Sequence, residues 1–131
     1  MTLVYRLVIA AAMVVSGGVH AYLYLHGYGH IPTVGTGFLV QASVFCAVGV
    51  LLAVGAPRWF GWASGLLSAG ALAAFGLSRT VGLFGFVETG WEPAPYALIS
   101  VIVEAVAVLA VAAWLAQMSR QRSNPGAGKN P

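Results

Sequence analysis

Of the chain's 131 residues, 60% are hydrophobic and 7% are charged, whereas about a quarter are charged in an ordinary soluble domain; the composition excludes a soluble globular protein and points to the membrane class. The formal net charge of +3 comes from six Lys and Arg against three acidic residues, but the basic residues are strung along the chain and do not form the clustered patch that nucleic acid requires, so no nucleic-acid partner is expected. The single cysteine, Cys46, excludes an intramolecular disulfide and paired-thiol chemistry, and it reads as a small buried apolar residue.

A helical span needs about 20 mostly apolar residues, and four windows qualify: 3–25, 35–54, 59–78 and 96–117. The first begins with Arg6, an apolar run and Val19-His20-Ala21, which together imitate a secretory signal. The apolar character continues through Tyr22, Leu23, Tyr24 and Leu25, so the segment has spanning length and is expected to stay as a span, not to be cleaved. Ser16, His20 and Tyr24 follow one another at four-residue spacing and draw a polar stripe. That stripe should face inward, because lipid offers it no partner.

The first connection, 26–33, is short and punctuated by glycine, a tight outer turn. His26 and His30 stand at metal-sharing spacing only if helical, which Gly27 and Gly29 oppose. With no cysteine or carboxylate nearby they are weak metal candidates, and no metal or other cofactor is expected. The second span carries Gln41 and Cys46, and residues 55–58 form a minimal turn. In the third span Gly61, Gly65, Ala69 and Ala73 repeat every four residues. This smooth ridge lets another helix approach closely, either within the chain or in a homodimer or larger membrane complex.

The third connection, 79–95, is rich in Gly, Pro and aromatics and carries Glu88 and Glu92. It is too apolar to float in water, so Phe84, Phe86 and Trp91 should lie at headgroup level or cap the bundle. The fourth span contains Glu104, the one carboxylate inside an apolar run. A charge there costs about 2.5 to 3.5 kcal/mol on insertion scales, so a partner, a proton or water should accompany it. The polar tail, 118–131, is expected to be disordered.

Four spans put both termini on one side. Arg6, Arg58, Arg120, Arg122 and Lys129 then share it, while Arg79 alone falls opposite. The positive-inside rule makes that side cytoplasmic. The expected protein is an all-α integral membrane protein, a four-helix bundle in the cytoplasmic membrane with both termini inside.

At about 1.5 Å of rise per residue, His20, Gln41, Arg79 and Glu104 all fall in the outer half or middle of the membrane, one from each span. They form either an internal network that fixes helix orientation, or the lining of an outward cavity for a small polar headgroup, a quinone or lipid, or for a proton. Arg79 would offset Glu104 only if its side chain reached inward. The chain has no glycine-rich phosphate loop, nucleophile elbow or metalloprotease helix, and no second intramembrane histidine that would complete a haem site.

The segments GYGHIPTVGTGFLVQ and GLFGFVETGWEPAPYAL, with the four-span layout, resemble small membrane proteins of unassigned function from high-GC Gram-positive bacteria, which implies a cell-membrane location. The size and layout are also similar to DoxX-like proteins, some of them associated with quinone-linked oxidation. Small multidrug-resistance transporters share the length and a single membrane glutamate, but theirs lies in the first span and here it lies in the fourth. The expectation is an accessory or small-molecule-binding bundle, with a proton-coupled transporter using Glu104 and a quinone-linked redox component as alternatives.

Overall fold

A computed structural model describes residues 1–123, which form four α-helices: α1 (Leu3–Leu25), α2 (Val34–Ala53), α3 (Trp59–Ser78) and α4 (Tyr96–Ser123). Each is long and apolar enough to cross a membrane. The helix ends follow the local chemistry. Beyond α1, Gly27 adopts φ 123° and leads into a single 3-10 turn at Tyr28–His30. Beyond α2, Gly55 takes φ 105°, with its N–H on Leu52 O and that of Ala56 on Leu51 O. That pair of bonds is the Schellman arrangement, which needs a left-handed residue that glycine supplies without strain.

The expected spans agree with the helices to within a residue at their shared ends, except at the last. There α4 runs on to Ser123, six residues beyond the expected end at Gln117, so 118–123 are helical and not disordered. Leu115 and Met118 pack against the core and give this continuation its anchor. The rest of the expected disordered tail, 124–131, lies outside the described residues. At about 1.5 Å per residue the 28 residues of α4 measure roughly 42 Å, longer than the ~30 Å hydrocarbon core.

The helices do not meet equally. α1 packs most extensively on α2 and then on α4, α3 leans chiefly on α4, and contact between α2 and α3 is thin. The main core lies towards the end of the bundle that holds the start of α1 and the end of α4. Ile9, Met13, Phe45, Leu52, Val111 and Trp114 interlock there, and all are nearly or fully buried. α1 and α2 approach closely at Gly17, where any Cβ would sit 2.6 Å from the Cys46 sulfur.

The small-residue ridge of α3 divides along its length. Gly61 faces the Trp114 ring and Gly65 faces Val111, both on α4, whereas Ala69 and Ala73 are exposed. A four-residue step exceeds the 3.6-residue turn, so such a ridge drifts about 40° per step and cannot stay on one straight interface. The face that stays inward alternates steps of three and four: Gly61, Ser64, Ser68, Ala71, Phe75 and Ser78. Ser64 and Ser68 are fully buried; Ser64 donates to the Phe60 carbonyl at 2.8 Å and Ser68 contacts the Met13 sulfur at 3.4 Å.

Candidate functional site

Because α3 lies against α4 and away from α2, the far half of the bundle is not filled. A cavity of about 90 Å³ remains there, lined by all four helices and by the two connections at that end. On the same measure one water needs about 10 to 15 Å³, so the space admits several waters or a compact headgroup. His20, Gln41, Arg79 and Glu104 all line it, as do Phe38, Phe75, Phe86, Tyr28, Glu88 and Ser100. The four polar residues expected from sequence thus face one space, but they do not form one network.

Glu104 is 2% exposed and lies at the inner end. Its Oε1 accepts three neutral hydrogen bonds: from Ser16 Oγ at 2.7 Å, Ser100 Oγ at 2.9 Å and Gln41 Nε2 at 3.0 Å. The donors come from α1, α4 and α2. Ser100 lies one helical turn before Glu104, and Ser16 belongs to the polar stripe of α1, which turns inward as lipid exclusion requires. Every one of these bonds ends on Oε1. No described residue donates to Oε2, and with Glu104 in the cavity lining this oxygen is the one left to face the space. Fully enclosed and unpartnered atoms occur elsewhere among the described residues, at Arg6 Nε and Trp114 Nε1.

His20 is not a partner of Glu104. Its Nδ1 lies 2.9 Å from the Ser16 carbonyl oxygen. A carbonyl can only accept, so Nδ1 carries the proton and Nε2 of the neutral ring keeps its lone pair. Nε2 bonds to no described residue, and the ring packs edge-on to Phe38 with centroids 4.9 Å apart.

Arg79 does not offset Glu104 either. It holds down the connection that follows α3. Nε donates to Gly90 O at 2.9 Å, Nη1 to Ser78 Oγ at 2.8 Å and Nη2 to Glu92 O, while the guanidinium carbon sits 4.3 Å over the Phe75 ring. Loop carbonyls at the bundle end lie within easy reach of a long side chain, whereas reaching the middle would strip the guanidinium of water. The usual direction of snorkelling prevails.

The loop so anchored covers the mouth. It doubles back through a tight turn in which Leu83 and Phe86 exchange backbone bonds of 2.8 and 2.9 Å around Phe84 and Gly85, both with positive φ. Phe84 is 74% exposed and Trp91 stacks on Phe75, while Phe86 turns inward. Opposite it, Tyr28 stacks on Phe38 at 5.0 Å and donates from its hydroxyl to Glu88 Oε2 at 2.6 Å. Burial, and then the Glu88 carboxylate that accepts this bond, push the Tyr28 phenol well above its usual range. The two connections are thereby latched to each other across the cavity mouth.

His26, the other half of the weak metal pair with His30, is folded back on α1. Its Nδ1 donates to Tyr22 O at 2.7 Å and its ring stacks on Tyr22. No group of three metal-ligating side chains gathers among the described residues. No family model, curated protein or solved structure matches the chain.

Proposed function

We propose that this is a multi-pass protein of the cytoplasmic membrane, with both termini cytoplasmic, that binds a small molecule by its polar headgroup in the cavity at the outer end of the bundle. It acts as a binding or accessory component, alone or within a homodimer or larger membrane complex. Quinone and lipid headgroups are of the compact size that the cavity admits, and the DoxX-like layout favours the same class.

Membrane placement is supported by the bundle's outer surface. Val4, Leu66 and Leu109 are 70%, 74% and 68% exposed, and a continuous skin of such residues is stable against lipid, not water. Orientation rests on five of the six Lys and Arg lying on the side of the termini.

The observation that carries the binding reading is the uneven use of the Glu104 carboxyl. A purely structural acid would engage both oxygens, because each unmet buried polar atom costs about 1 to 3 kcal/mol. Here one oxygen takes three bonds and the other faces open space. The same asymmetry supports proton-coupled transport as a second reading: with Oε1 committed to accepting, a proton on the carboxyl resides on Oε2, where the cavity can exchange it.

The test is purification of the full chain from its native membrane in gentle detergent, with mass spectrometry of everything that accompanies it. A small molecule retained by the wild type and absent from a folded Glu104→Gln variant is the expected result. Equal retention by both would overturn the reading. Proton-dependent flux in proteoliposomes, abolished in the same variant, selects the transporter.

A further inference from the structure

The atoms at the inner end of the cavity divide by whether they are already engaged. Ser16 and Ser100 each have one hydroxyl proton, and both give it to Glu104 Oε1. Gln41 turns its amide nitrogen to the same oxygen. The one ring proton of neutral His20 is held by the Ser16 carbonyl. With Glu104 ionised and His20 neutral, three acceptors have no partner among the described residues, Glu104 Oε2, His20 Nε2 and Gln41 Oε1, against a single spare donor, the second N–H of Gln41. Nearer the mouth Tyr28 gives its proton to Glu88, and every nitrogen of Arg79 already gives one N–H to Ser78 or to a loop carbonyl, which turns the guanidinium towards the loop.

A ligand that presents a carbonyl, carboxylate or phosphate to this floor finds one donor at most, on Gln41, and leaves Glu104 Oε2 and His20 Nε2 unmet. A ligand that presents N–H groups satisfies them. The charges at the two ends agree, because the floor holds Glu104 and the mouth holds Glu88, with Arg79 the single cation in the lining. The walls agree as well. Phe38, Phe75 and Phe86 line the space between and offer apolar surface to a hydrocarbon part, the Phe75 ring already carrying the Arg79 guanidinium.

We propose that the occupant is a primary ammonium, whose N–H groups donate to Glu104 Oε2 and His20 Nε2 while its hydrocarbon part lies among the three phenylalanines. This rests on the cavity-binding reading above and narrows its class. The ammonium belongs either to a free amine or to an aminolipid headgroup. Ser16, Ser100 and Gln41 act as positioning residues: they fix the carboxylate so that Oε2 points at the ligand.

The full chain is reconstituted in phosphatidylcholine nanodiscs and titrated by calorimetry with phenethylammonium chloride, phenethyl alcohol and sodium phenylacetate, and separately moved into discs containing phosphatidylethanolamine. Phenethylammonium binds, phenylacetate does not, and the alcohol binds at least about tenfold more weakly, the loss expected when a charge-assisted hydrogen bond becomes a neutral one. Glu104→Gln weakens phenethylammonium by a similar factor. Ala74→Phe, which fills the cavity from α3 without touching the polar floor, abolishes binding and serves if Glu104→Gln fails to fold. Phosphatidylethanolamine that competes with phenethylammonium identifies the aminolipid as the source; absence of competition identifies the free amine. Glu104-dependent binding of phenylacetate or of a soluble quinone, without binding of phenethylammonium, overturns the ammonium and leaves the cavity reading standing. Equal binding of alcohol and ammonium overturns the role of charge. If no probe binds and no small molecule copurifies, both fall together.

Discussion

Ser16 Oγ and Glu104 Oε1, 88 residues apart in sequence, meet at 2.7 Å and join the first helix to the last in the interior of the bundle. The bond matters because nothing charged assists it. Glu104 is held by hydroxyl and amide donors, so neutralising the acid leaves its scaffold in place.

Glu104→Gln is therefore expected to fold almost as well as the wild type, because the amide oxygen still accepts from Ser16, Ser100 and Gln41. Glu104→Leu strands those donors, two of them on serines that are 0% and 7% exposed, at about 1 to 3 kcal/mol for each buried group left unmet. Thermal unfolding in detergent should rank wild type and Gln together and Leu well below. Equal midpoints for Gln and Leu would show that the three bonds contribute nothing to the fold.

Gly65→Leu should destabilise the bundle, since even a Cβ at this position would lie 2.9 Å from Val111 Cγ1. Ala69→Leu, one step along the same ridge but exposed, should leave thermal stability within about 0.5 kcal/mol of wild type, the range of ordinary surface changes. If Ala69→Leu instead converts a dimer to a monomer on size exclusion with light scattering, the outer half of the ridge is an interface between chains.

How far the sequence foretold this arrangement depends on what periodicity can carry. The four long apolar helices were legible because a run of about 20 apolar residues has few other uses in a folded chain, and Glu104 was legible because its isolation is costly. Gln41 and Glu104 do meet, as that cost demands. The pairing with Ser16 was only half visible: four-residue spacing puts Ser16 on an inward face, but it fixes no axial register between helices. Arg79 misled for a related reason, since its length permits two directions and only the folded loop, with the carbonyls of Gly90 and Glu92 in reach, decides between them. The buried serines Ser64 and Ser68 escaped notice beside the more regular glycine and alanine ridge. Alternating steps of three and four follow a straight interface better than a constant four.

Reporter fusions provide the topological check. A reporter placed after residue 31 and one at the C-terminus should give signals from opposite compartments, the latter cytoplasmic, as the distribution of Lys and Arg demands. Matching signals would rule out an even number of spans between the N-terminal side and the tail.

The Tyr28–Glu88 latch gives an alkaline signature. The folded chain keeps the Tyr28 proton above the ordinary phenol value of 10.0, so above pH 10 the unfolded chain releases a proton that the folded chain retains. Stability from this group is complete below pH 10 and is lost as pH rises through the folded value. Wild-type stability should fall more steeply above pH 10 than that of Tyr28→Phe. Superimposable pH profiles would mean that the hydroxyl is free in solution. Tyrosinate absorbance, compared between the two proteins, assigns the late-titrating phenol among the five tyrosines.

The thin contact between α2 and α3 bears on kinetics as much as on shape. If the proposed site lies in a bilayer with this thin wall towards the lipid, it is entered sideways, by molecules already dissolved in the membrane. Its occupancy then follows the ligand's mole fraction in the membrane, not its aqueous concentration, so an amphiphile with a high partition coefficient saturates the site at bulk levels far below its intrinsic dissociation constant. Apparent affinity should accordingly weaken in proportion as empty vesicles are added at constant total ligand, because the added lipid dilutes the pool from which the protein draws.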